Sequence, residues 1–277
     1  MSKVILCTSK EATHPYIFLN TKVEINNYEE LCFYIYNNTV LISKSSLSDK
    51  LFDWIRDEID MPELAAKLVA MSNKTPFAQD LLVEILNAGN YYEEEEIISY
   101  MEAWQKYRRL TASQRKKLKA DGYLGYRRYI KAASIYDDIL DNQEDIVDKI
   151  FLGNVYHNRA VASANNLDTE KAKEYFLKAY ELNQNPDSLR GYMIVFAASS
   201  DTATIQQEMR KYELDEEYFE NLMTEIGESN DDVREMTIFS MLQRAVYNRM
   251  NKDMIDYDKR MDIILSQLKD EFREQAI

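Results

Sequence analysis

Glycine and proline are scarce in this sequence: 277 residues hold 6 and 4 of them, where average usage would supply about 19 and 14. That shortage removes tight-turn sandwiches, barrels and glycine-rich phosphate loops from consideration and leaves a mostly helical chain. The two cysteines, Cys7 and Cys32, show neither CxxC nor Cys/His metal spacing, so reduced structural thiols are expected. The two histidines, His14 and His157, stand far apart, with no HExxH, nucleophile elbow, Walker loop or dinucleotide fingerprint around them. No enzyme, metal site or cofactor is therefore expected. Long apolar runs are missing as well. Val4-Ile5-Leu6 is too short for a signal-peptide core and nothing approaches a membrane span, so the sequence reads as cytoplasmic and non-membrane. Positive charge is in deficit: 34 Lys+Arg against 48 Asp+Glu give −14 and a pI near 4.8. A field of that sign repels nucleic acid and anionic membranes and favours a basic partner.

What is present is the composition of a folded body, 45% hydrophobic, 30% charged and 12% aromatic. Residues 1–26 differ from the rest. Ile17, Leu19, Val23 and Ile25 share one parity, which predicts a small strand or hairpin. From Asn27 the period becomes helical. Asn27-Tyr28-Glu29-Glu30 is a capping box; Ser48 or Asp49 opens a second helix, and Pro62 begins a third. Thr75-Pro76-Phe77 places a cap and a first-turn proline before a fourth, which Ala88-Gly89-Asn90 closes. No linker-like cluster interrupts the chain. Soft boundaries are drawn at 1–105, 106–212 and 213–277, within one continuous body.

The most specific pattern lies at 153–186, where Tyr156, Ala160, Ala172, Phe176 and Ala179 set small and aromatic residues at regular positions of a helix pair. It resembles the tetratricopeptide repeat (TPR) family, with Arg159 where the family has leucine and Pro186 two residues late. Ala120, Ala132, Tyr136 and Ile139 extend the resemblance to 113–146, and Leu189, Met193, Ile205, Met209 and Tyr212 extend it downstream, so that it covers about 111–212. It implies a mostly all-α fold, a right-handed superhelix of helical hairpins, to which the residue pattern of 1–26 adds a small strand-bearing N-terminal segment. It implies, too, a concave groove that takes extended peptides, lined by Asn154, His157, Asn158, Val161 and Asn165. Asn158 and Lys117 fall on the asparagine and lysine of the carboxylate clamp of co-chaperone repeats, while Asp121, Asp187 and Gly191 depart from it. The implied function is a non-catalytic protein- or peptide-binding scaffold.

Two further features stand out. Between Lys106 and Lys131 ten basic residues face one acidic one, Asp121; Arg108, Arg109, Arg115, Lys116, Lys119, Arg127 and Arg128 form the patch. Either Glu93–Glu96 and Asp137, Asp138 and Asp141 neutralise it, or it receives an acidic protein ligand; nucleic acid is the weaker reading. From Asp231 onward, Met250, Met254, Tyr257, Met261, Ile264 and Leu268 recur at four- and three-residue steps. They predict one long C-terminal helix that caps the repeats or forms a homodimer seam. The seam supports the alternative function, a regulatory sensor or secretion-type chaperone that docks or dimerises through that helix.

Overall fold

The computed structural model describes residues 9–143, 148–235 and 237–276, with side chains left out at 230–235, 271–272 and 274–276. Val4-Ile5-Leu6, Cys7 and residues 144–146 of the 113–146 repeat lie outside the described residues. The chain is mostly helical and divides into two compact units, 1–126 and 127–277.

The first unit opens with a hairpin of β1 (Tyr16–Phe18) and β2 (Val23–Ile25), paired antiparallel with Tyr16 opposite Ile25. The inward residues are Phe18 and Ile25, while Ile17 and Leu19 are exposed. The expected shared parity therefore fails on the first strand. The turn between the strands, closed by Lys22 N–H on Phe18 C=O with Lys22 left-handed, shifts the register by one. Helix α1 (Tyr28–Asn38) follows, its Asn27 side chain accepting from Glu30 N–H at 2.8 Å. After 3-10 turns at Thr39–Leu41 and Lys44–Ser46 come α2 (Asp49–Asp57), α3 (Pro62–Ser72) and α4 (Ala78–Asn87). Pro62 takes the first-turn position, but Pro76 does not. The Thr75 hydroxyl accepts from Phe77 N–H instead, forming a turn ahead of α4. Helix α5 (Glu94–Arg108) starts on a capping box between Glu93 and Glu96, and α6 (Ala112–Gly125) on one between Thr111 and Gln114. The Gly122–Gly125 stretch is the last turn of α6, where Gly122 lies against the Leu41 side chain. The turn comes afterwards, at left-handed Arg127. Leu31, Ile35, Leu51, Ile55, Leu68, Leu81 and Ile85 form the core of this unit.

The second unit contains α7 (Tyr129–Asp141), α8 (Lys149–Asn165), α9 (Thr169–Asn183), α10 (Pro186–Ala197) and α11 (Thr202–Arg210). Beyond them lie α12 (Glu216–Glu235), α13 (Thr237–Met250) and α14 (Met254–Ala276). Helices α8 and α9 pack most closely, with Ala160, Ala172 and Ala179 fully buried. Alanine at these positions lets the backbones approach, and Phe176, Leu189, Met193, Ile205 and Met209 fill the space towards α10 and α11. The 113–146 pair is divided by the unit boundary, α6 on one side and α7 on the other. The single long C-terminal helix is not formed. Asn251-Lys252-Asp253 breaks it into the α13–α14 hairpin, with Lys252 left-handed and the Asp253 carboxylate accepting from Asp256 N–H at 3.2 Å. The same helix-stopping geometry recurs at Asn90, Leu167, Gln184 and Glu213, and no described glycine has positive φ. Glycine serves crossings instead: a β-carbon on Gly153 would lie 2.7 Å from Asn183 Cβ.

Candidate binding surfaces

The groove residues implied by the repeat pattern lie on α8, apart from Lys117, which is on α6 in the first unit and pairs with Asp121 at 2.7 Å. Asn154 accepts from Asn183 Nδ2 at 3.0 Å, and Asn183 in turn accepts from Asn185 N–H, so this pair ties α8 to the α9–α10 turn. His157 Nδ1 lies 3.0 Å from the hydroxyl of fully buried Ser188, and its ring meets Phe176 edge-on at 5.4 Å. Both side chains thereby hold α8 beside its neighbours. Asn158 is half-buried and engaged, Val161 packs on the Ala160–Phe176 cluster, and exposed Asn165 returns its amide to Val161 C=O at 2.9 Å.

Arg159, the residue that departs from the repeat pattern, is buried. Its Nε and Nη2 donate to the two oxygens of Asp137 at 2.6 and 3.1 Å, and Nη1 donates to Ser163 Oγ at 2.6 Å. The guanidinium carbon stands 5.2 Å from the Tyr175 ring centre. One side chain thus joins α7, α8 and α9 through bidentate, charge-assisted and cation–π contacts.

The basic patch is split by the unit boundary. Arg108 and Arg109 end α5 and are exposed; Arg115 on α6 donates to Leu110 C=O at 2.6 Å, closing the α5 C-terminus. Lys116 and Lys119 are half-buried on α6, Arg127 is exposed in the second unit, and Arg128 there is buried and engaged. Lys106, Arg108 and Arg109 form no ion pair with another described residue. Two of the acids expected to compensate them have other uses. Glu96 caps the start of α5, accepting from Glu93 N–H at 2.9 Å, and Asp137 holds Arg159.

The sequence reading missed a cleft in the first unit between α1 and α5, of about 230 Å³, lined by Tyr36, Asn37, Ser99, Tyr100, Trp104 and Tyr107. Only its α5 wall was legible, because Tyr100, Trp104 and Tyr107 recur at helical spacing on that helix. Trp104 and Tyr107 stack at 5.0 Å, and Tyr36 stands 5.4 Å from Tyr100. Tyr100 is fixed by the Thr39 hydroxyl at 3.1 Å, and burial pushes its phenol up to about 12. Tyr107 is raised by burial too, with the nearby Arg115 charge pulling the other way.

No family model, curated protein or solved structure matches the chain. Its own geometry carries the functional argument. Among the described residues no helix is long and apolar enough to cross a membrane, and no three His, Cys, Asp or Glu side chains are grouped to hold a metal ion.

Proposed function

We propose that the protein is a non-catalytic scaffold that binds a protein or peptide segment along the face made by the first helices of its hairpins, α8 and α10. The observation that supports this reading is the closure of α8 on α9 through the fully buried Ala160, Ala172 and Ala179. Hairpins that close at alanine stack by their long faces and leave the first helices side by side, here joined by His157 and Ser188. Peptides selected from a display library against the whole protein test it. They are expected to slow amide exchange in α8 and α10, and Asn165→Ala, at an exposed position, is expected to weaken them. Selected peptides that all protect other helices, or a library that yields no binder, would remove the reading.

A second reading, dimerisation or docking through the C-terminal region, draws on the α13–α14 hairpin. Val246, Tyr247, Met250, Met254, Ile255 and Leu268 are exposed there, and Ile255 is 84% accessible. Light scattering separates the two. A dimer that Ile255→Lys turns into monomer supports this alternative; a monomer at all concentrations removes the dimer version.

A further inference from the structure

The aromatic cleft on α5 lies outside the repeat-like region, and what it could hold follows from its size, its polar groups and its surroundings. At about 230 Å³ it falls below the roughly 300–1,000 Å³ typical of small-molecule pockets. It is suited to one or two side chains of a larger partner. Its walls are rings, and two of their polar groups already hold the cleft open: Tyr36 OH donates to Glu96 C=O at 3.3 Å, and Tyr100 takes the Thr39 hydroxyl. The other two, Trp104 Nε1–H and Tyr107 OH, make no hydrogen bond to another described residue although both side chains are half-buried. Trp54, by contrast, donates its indole N–H to His14 C=O at 2.8 Å. Ring faces with unused donors fit an apolar anchor followed by backbone carbonyls.

Charge selects among such partners. Helix α5 is acidic in its first turn and basic in its last, so the cleft, lined on α5 from Ser99 to Tyr107, ends beside the basic turn of Lys106 and Arg108. Arg108 follows Trp104 by four residues and lies on the same helical face. Arg115 adds its charge from α6 beside Tyr107. Guanidinium groups that form no ion pair with another described residue, at one end of an aromatic cleft, complement carboxylates next to an apolar anchor. With the chain at −14, such carboxylates are attracted only within about a Debye length, roughly 8 Å, of these groups. Phosphate-dense nucleic acid would meet the repulsive field along its whole length.

We propose that this cleft docks an acidic peptide segment of a partner protein, with one aromatic or aliphatic side chain held by Tyr36, Tyr100, Trp104 and Tyr107 and an adjoining Asp or Glu held by Arg108, to whose positive field Arg109 and Arg115 add. The site goes beyond the α8–α10 groove and does not depend on it.

An array of dodecapeptides tests this, each with a central Phe, Tyr, Trp or Leu flanked on one or both sides by Asp and Glu. Matched arrays carry glycine in place of the anchor, lysine in place of the acids, or uncharged proline-rich flanks, and a twelve-nucleotide oligothymidylate serves as the nucleic-acid probe. Anchored acidic peptides are expected to bind the full chain at least tenfold more tightly than any control. Trp104→Ala should lower that affinity tenfold or more. Arg108→Gln with Arg109→Gln, both on exposed side chains, should lower it at least fivefold at 50 mM salt and under twofold at 500 mM. Circular dichroism checks that each variant keeps its helix content. Failure of every acidic peptide, equal binding of the anchorless or proline-rich sets, tighter binding of the oligonucleotide, or indifference to the arginine substitutions would each overturn the proposal.

Discussion

Arg159 holds Asp137 with both arms of the contact, Nε on one carboxylate oxygen and Nη2 on the other, although the arginine side chain is 9% exposed and the aspartate 43%. The asymmetry makes the two partners unequal. Asp137→Ala strands a guanidinium in the interior, a loss of roughly 3–5 kcal/mol for a fully buried pair, reduced to about 2 kcal/mol here because water reaches the Asp137 side. Arg159→Leu removes the buried charge and leaves Asp137 to the solvent, and should stay within about 1 kcal/mol of the parent. Urea unfolding followed by circular dichroism measures both. An Arg159→Leu loss as large as that of Asp137→Ala would show that the charge itself stabilises α7 against α8.

Gly153 and Gly125 should respond oppositely to alanine. A β-carbon on Gly153 meets Asn183 Cβ at 2.7 Å and Ala179 C=O at 3.1 Å, so α9 must retreat, at a cost of about 1–3 kcal/mol. At Gly125 nothing lies within 4 Å, and the helix gains about 0.5 kcal/mol. Thermal unfolding of the two variants checks the contrast. Equal shifts would place the α8–α9 crossing further apart than described.

Cys32 should be chemically silent in the folded protein. It is fully buried, and burial pushes its thiol up to about 12, with a hydrogen bond from Tyr28 pulling the other way. In a Cys7→Ser background, a thiol reagent at pH 8 should label it only after denaturant is added. The sign of the linkage follows. A thiol whose folded value exceeds its unfolded one of 9.0 favours folding fully below pH 9, and that contribution is lost as pH rises from 9 through 12. Prompt labelling of the native protein at pH 8 would contradict the burial.

Leu167 is a third kind of position, 85% exposed and held at φ 61° after α8. A left-handed backbone costs a side-chain-bearing residue about 1–2 kcal/mol, and Asn tolerates it better. Leu167→Asn should therefore raise stability by about 0.5–1 kcal/mol, read as an upward shift of the urea midpoint. A loss would indicate that Leu167 makes an apolar contact important to folding.

The sequence revealed helix starts most clearly where one side chain decides them. Asn27 and Pro62 each sit at the cap or first turn that their chemistry requires. Buried alanines at 160, 172 and 179 were legible for a similar reason, since spacing fixes which face of a helix a residue occupies. Stops were harder. At Asn251-Lys252-Asp253 no glycine or proline announces the turn, and the apolar steps on either side run through it in phase. The groove residues illustrate a second limit. Spacing placed His157 and Asn154 on the right helix, but whether a polar side chain meets a ligand or its own neighbour depends on Ser188 and Asn183, about thirty residues away. The aromatic cleft needed α1 and α5 together, a pairing that no local pattern encodes.

Glycine at the crossings and bulky residues at the left-handed turns make mutational tolerance directional. Residues such as Lys22, Leu167 or Lys252 can be trimmed without disturbing a helix contact, whereas Gly153 and Gly191 cannot be enlarged without parting two helices or displacing Phe176. Labels, crosslinkers or stabilising substitutions for later work therefore belong at the bends, where the molecule has slack, and not at the points where its rods touch.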